Sequence, residues 1–140
     1  LCPVRPRQLI YLLIFIRKKG FLKMLYENLP VYKASMELCV YMEQIVKGFD
    51  KYHKYTIGED LRCYSKEALF CIHRANRSKN KKPELERLRD KCEEIKMLIS
   101  LAKELKAFKS FSQFEHSVKL TINICKQAQS WLNQSAGIVG

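Results

Sequence analysis

The sequence predicts an all-α fold, an antiparallel up-and-down four-helix bundle, on three observations. Apolar residues recur at steps of three and four along four separate stretches, which places each set on one face of a helix. Short polar links join those stretches, so consecutive helices must fold back antiparallel. Outside them no run alternates apolar and polar residues over the length of a strand, which leaves little sequence for a sheet. At 140 residues, 47% hydrophobic and 29% charged, the chain has the length and balance of one globular domain.

Residues 1–23 stand apart from the rest. They carry six basic residues (Arg5, Arg7, Arg17, Lys18, Lys19 and Lys23) and no acid, around an apolar run at 9–16. Eight apolar residues fall short of the roughly 20 needed to cross a bilayer. A basic cluster follows the run where an export signal would have a small-residue cleavage site. The segment is read as an N-terminal extension, disordered or translated from upstream of a natural start at Met24. A membrane-surface anchor or an added helix or strand are the alternatives, and the bundle is placed in residues 24–140.

The first helix is expected over about 30–52, with Pro30 at its start, where a missing amide hydrogen costs nothing. Val31, Ser35, Leu38, Met42, Ile45 and Phe49 take its a and d heptad positions. Lys47, Lys51 and Lys54 form a basic edge near its C-terminus, where cations suit the helix dipole. A connection at about 53–57 leads to a second helix, 58–79, entered through Gly58, Glu59 and Asp60. Its buried face is Ile57, Leu61, Tyr64, Ala68, Cys71, Ala75 and Ser78.

Pro83, Glu84 and Glu86 mark the first turn of a third helix. Leu85, Leu88, Cys92, Ile95, Ile99 and Ala102 form its buried face, and Leu98, Leu101 and Leu105 widen the stripe enough to predict a deep position in the assembly. The pattern fades over 106–109, and Ser112–Glu115 has the form of a capping box opening the fourth helix. There Phe114, Val118, Thr121, Cys125, Ala128 and Leu132 share a face, with Trp131 beside them as a core residue or an anchor for a second subunit. Residues 135–140 read as a frayed tail. The wide third-helix stripe and the Phe108, Phe111 and Phe114 cluster fit either an association surface or ordinary core.

Six cysteines, at 2, 39, 63, 71, 92 and 125, form no CxxC pair and no metal-ligand run. Those at 39, 71, 92 and 125 lie on or beside apolar faces, as reduced cysteines do, which points to the cytoplasm. His53, His73 and His116 are far apart, and no HExxH, phosphate loop or nucleophile elbow is present, so no enzyme and no cofactor is expected. Glu86, Asp90, Glu93 and Glu94 lack the Glu-x-x-His pattern of bundle di-iron sites and read as a solvated acidic face.

Charge is the more informative signal. A formal charge of +12, from 26 basic and 14 acidic residues, directs attention to anionic partners. Arg74, Arg77, Lys79, Lys81 and Lys82 crowd one corner without an acid among residues 74–82, and are the first candidates for contact with a phosphate backbone. Lys47, Lys51 and Lys54 come second. The steps Lys96 to Lys103 and Lys119 to Lys126 add basic faces, the first expected to pair locally with Glu93 and Glu104. Tyr52 and Tyr55, flanking His53 and Lys54, either stack on bases or close the bundle end, and the second role is the expected one. Nothing points to sequence-specific base reading.

Leu29–Ser35, Lys54–Leu61, Tyr64, Arg74-Ala75-Asn76 and Trp131-Leu132 together resemble a four-helix-bundle family over roughly residues 28–134. It contains the accessory variability determinants of diversity-generating retroelements and proteins encoded in intervening sequences of bacterial large-subunit ribosomal RNA genes. The resemblance implies a basic, barrel-like homopentamer without catalytic activity. Such a protein would bind the retroelement's reverse transcriptase and its template RNA, or an RNA–DNA hybrid, in support of mutagenic copying, and would need no membrane. The other branch implies a scaffold or a general nucleic-acid-binding module.

Overall fold

The heptad that follows Pro30 folds as α1 (Leu29–Val46) in the computed structural model, which describes residues 29–137. The predicted extension at 1–23 lies outside the described residues. The chain continues through a five-residue α2 (Lys51–Tyr55), then α3 (Ile57–Arg77), α4 (Lys82–Glu104) and α5 (Phe111–Ser135). Among the described residues there is no strand, and no helix is long and apolar enough to cross a membrane.

The first helix is shorter than its periodicity predicts. Gly48 and Phe49 donate to carbonyls only three residues back, at 3.0 Å each, which tightens and ends the helix after Val46. Phe49 nevertheless stays in the core, 5% exposed. The expected link at 53–57 is mostly helix, and Thr56 alone separates α2 from α3.

Four long helices pack in a ring, α1 against α3, α3 against α4, α4 against α5, and α5 against α1. Contacts fix each pair as antiparallel. Glu43 meets Arg62 and Lys66 while Val46 meets Gly58 across α1 and α3. Arg74 meets Glu84 and Glu67 meets Lys91 across α3 and α4. Lys103 sits over the Phe114 ring and Lys81 over that of Trp131, which orders the α4 and α5 ends. The heptad residues predicted for α1, from Val31 to Phe49, are all buried, as are the six of the α4 face.

Three expectations change. Leu101 and Leu105 are about half exposed, and Met97 is more so, so the wide stripe of α4 exceeds what this single bundle covers. On α5 the deepest ridge is Ser117, Leu120, Thr121, Ile124 and Ala128, while Phe114, Val118 and Cys125 are only half-buried. Wedged between α1 and α4, α5 turns a face into the core that lies about one residue away from the predicted one. Trp131 packs in that core. The helix also starts earlier: Ser110, not Ser112, is the N-cap, its Oγ accepting from Gln113 N–H while Gln113 Oε1 accepts from Lys109 N–H.

At the other end of the same link, Lys106 takes a left-handed conformation (φ 59°) just past α4. Lys106 N–H donates to Lys103 O at 3.0 Å and Ala107 N–H to Ala102 O at 2.9 Å. This is the Schellman arrangement that usually carries glycine.

Candidate nucleic-acid interface

The corner formed by the end of α3 and the start of α4 contains all five first-rank candidates, and they divide by what they touch. Helix α3 ends at Arg77 with its last carbonyls unpaired by further turns. Lys81 folds back onto them. Its ammonium donates to the carbonyls of Ala75 (2.9 Å), Ser78 (3.1 Å) and Asn76 (3.3 Å), and lies 5.7 Å from the Trp131 ring centre. Lys81 is therefore a half-buried helix cap.

Arg74 is also engaged. Its Nε donates to Glu84 Oε2 at 3.1 Å and its Nη2 to Cys71 Sγ at 3.3 Å. Glu84 is the acid that the local sequence does not supply; the antiparallel turn brings it back, and it holds Arg87 as well. The hydrogen bond that Arg74 donates to Glu84 raises the Arg74 pKa further, so this arginine is a fixed, compensated charge. Arg77, Lys79 and Lys82 remain exposed, with no ion pair among the described residues.

The second group sits at the opposite end of the bundle. Lys47 and Lys51 are exposed and Lys54 half-buried, and none has an ion pair among the described residues. Asp50 in their midst is held by Lys109 at 3.0 Å, which keeps its carboxyl pKa below the ordinary value. Fold topology adds Lys106, exposed and likewise without an ion pair, from the α4–α5 link. That neighbour follows from antiparallel pairing, not from local spacing. With 21 residues of α3 between them, the two groups stand about 30 Å apart at 1.5 Å per residue, so the structure does not merge them.

Along the flanks several charges are paired, while Lys33, Arg89 and Lys126 have no ion pair among the described residues. Lys91 bridges Glu67 at 2.7 Å and Glu94 at 3.0 Å, Lys96 pairs with Glu93 at 2.7 Å, and Lys119 with Glu115 at 3.2 Å. Lys103 lies over Phe114 at 4.7 Å rather than beside Glu104. Of the acidic face of α4, Glu93 and Glu94 are thus ion-paired, while Glu86 and Asp90 have no ion pair among the described residues. Among the described residues no group of three or more His, Cys, Asp and Glu is placed to hold a metal ion.

Tyr52 and Tyr55 do not close the bundle end: they are 75% and 66% exposed. Phe49 and Phe108 do so instead, edge-to-face at 5.7 Å, with Phe114 behind at 6.0 Å. Helix α2 approaches the bundle through its backbone, since a Cβ on Gly58 would lie 2.9 Å from His53 O. The histidines are dispersed, His73 exposed and His116 edge-on to Tyr41 at 4.6 Å.

Among the cysteines, burial pushes the Cys39 thiol up to about 11. Cys92 and Cys125 meet across α4 and α5, where the Cys92 S–H and the Lys96 ammonium hold Cys125 below the ordinary thiol value. Cys92 itself is pushed up. With this geometry in place, comparison with known proteins adds no relative: no family model, curated protein or solved structure matches the chain.

Proposed function

We propose that this chain is a non-catalytic accessory subunit of a diversity-generating retroelement, acting in the cytoplasm on a reverse transcriptase and its template RNA or RNA–DNA hybrid. The observation that carries the nucleic-acid part is the distribution of uncompensated charge. Ion pairs engage Lys66, Lys91, Lys96 and Lys119 on the flanks and leave Lys33, Arg89 and Lys126 there unpaired, whereas Arg77, Lys79 and Lys82 at one end and Lys47, Lys51 and Lys54 at the other form groups of cations with no ion pair among the described residues. Phosphates bound there would release counterions without breaking an internal pair.

The reverse transcriptase and the homopentamer come from the resemblance alone. Apolar surface left over by one bundle, on α1 (Tyr32, Met36, Val40) and on α4 (Met97, Leu101, Leu105), is compatible with self-association. The alternative is a bundle encoded in a ribosomal RNA intervening sequence, serving as scaffold or general nucleic-acid-binding module. Ile57, Gly58, Leu61 and Trp131, which help carry the resemblance, are buried and serve the fold that both branches share.

Binding to unstructured RNA across a salt series tests the charge assignment. Arg77→Gln/Lys79→Gln/Lys82→Gln should flatten the slope of log K against log salt by about 2, at roughly 0.7 for each phosphate of a single strand that is no longer neutralised. Lys47→Gln/Lys51→Gln/Lys54→Gln should act in the same way. Arg74 and Lys81 are kept, because their loss would disturb the corner itself. An unchanged slope in both triple variants refutes the assignment. The flanking DNA separates the two branches: a reverse transcriptase frame with paired near-identical repeats supports the accessory subunit, and a surrounding ribosomal RNA gene removes it.

A further inference from the structure

Helix α2 buries none of its five residues, yet two of them are tyrosines. Large rings stabilise a fold by leaving water, typically by about 1.5–3 kcal/mol for a fully buried Phe-sized side chain, and these two forgo most of that. They stand at i and i+3, neighbours on one helical surface, interleaved with Lys51 and Lys54 and preceded by Lys47. Asp50 is locked to Lys109 and Glu59 is turned to Arg62, so neither acid offsets the lysines freely. Thr56 Oγ donates to Tyr52 O at 2.8 Å, tying the end of this short helix. The His53 ring meets Tyr52 edge-on at 5.6 Å, which braces that ring and leaves its outer face open.

The geometry points to a stacking platform for single-stranded nucleic acid at this bundle end, in which Tyr52 and Tyr55 receive unpaired bases and Lys47, Lys51 and Lys54 hold the adjoining phosphates. This rests on the nucleic-acid reading above and narrows it. Exposed rings can stack only on bases that are themselves unstacked, which selects single strands, loops and ends over uninterrupted duplex. Every base has a π-face, so the platform is indifferent to sequence. A protein partner is disfavoured by the lysines around the rings unless it is acidic.

The test uses the full chain, a short unstructured RNA and the same sugar-phosphate backbone with its bases removed. Wild type should bind the intact RNA at least about five-fold more tightly than the abasic strand, a conservative figure for one stacked base. Tyr52→Leu/Tyr55→Leu, with unchanged circular dichroism, should lose that preference and keep the wild-type salt slope. The lysine triple variant should do the reverse, retaining a preference for bases on a flatter slope. Equal binding of intact and abasic strands by wild type overturns the platform and leaves the nucleic-acid reading standing. A preference for bases that survives in the tyrosine variant also overturns it, since the bases are then read elsewhere. Failure of wild type to bind either strand at low salt overturns both.

Discussion

Replacing Gly58 with alanine examines how closely α2 and α3 approach. The substitution should help on local grounds, though by less than the roughly 1 kcal/mol by which alanine exceeds glycine in a helix interior, because Gly58 lies in the first turn of α3. Tertiary geometry opposes it. The new Cβ would lie 2.7 Å from Val46 Cγ1, 2.9 Å from His53 O and 3.3 Å from Phe49 Cδ2. A valine methyl can rotate, but the His53 carbonyl belongs to backbone and moves only with α2. Overpacking of this kind costs about 1–3 kcal/mol, and relief would also displace Phe49 from Phe108. The net expectation is a loss of about 1–2 kcal/mol. At this size that corresponds to a Tm lowered by about 4–8 °C.

Gly48→Ala supplies the internal control. Its Cβ would meet Ile45 O at 3.5 Å and Lys109 Cγ at 4.0 Å, ordinary van der Waals distances. It should be neutral or add about 0.4–1 kcal/mol by restricting the unfolded chain. Thermal and urea unfolding followed by far-ultraviolet circular dichroism would measure both. A Gly58→Ala protein as stable as wild type would refute the close approach and the docking of α2 through its backbone.

Other consequences can be checked with the same preparation. Lys106→Gly should raise stability by about 1 kcal/mol, read as a higher urea midpoint with unchanged m-value, because it relieves a left-handed lysine in the α4 cap. Lys81→Met should lower stability by about 1–2 kcal/mol by removing the ammonium from the carbonyls of α3, and amide exchange should quicken first in the last turn of that helix. Thiol alkylation has a definite pH order. At pH 9 a thiol of pKa about 11 is only about 1% ionised, so Cys39 should label late, while Cys125, held below the ordinary value, should label before it; mass spectrometry of time points decides. Acidification should weaken the Asp50–Lys109 link. The Asp50 pKa is lowered in the fold, so its contribution is present above the unfolded pKa and lost as pH falls through the folded one. Asp50→Asn should flatten the loss of stability below about pH 4.

Apolar spacing made the four long helices legible, and it located the six buried residues of α4 and, Ala34 and Val46 apart, those of α1, because an interior helix face repeats at a fixed interval. Breaks were harder to see. Phe49 keeps the heptad of α1 in phase across the interruption at Gly48, so a helix, a turn and a second short helix present one continuous pattern. The register of α5 depends on how two neighbours grip it, which no local spacing records. Charge was least transparent. Arg74 and Glu84 are ten residues apart and become partners only through the antiparallel turn, and Lys81 reads as a free cation until the carbonyls of α3 are seen to face it.

The distance between the two cation clusters makes strand length a variable with a threshold. At the stacked spacing of one phosphate per about 3.4 Å, about nine nucleotides cover the 30 Å of α3, and an unstacked strand covers it with fewer. Oligonucleotides shorter than this would engage one pole at a time and bind with the affinity of a single site. Longer ones would tether the second pole at high effective concentration, and affinity should then step upward with length instead of rising evenly. With strands too short to span, the same separation turns the protein into a divalent linker that holds two separate strands at its ends.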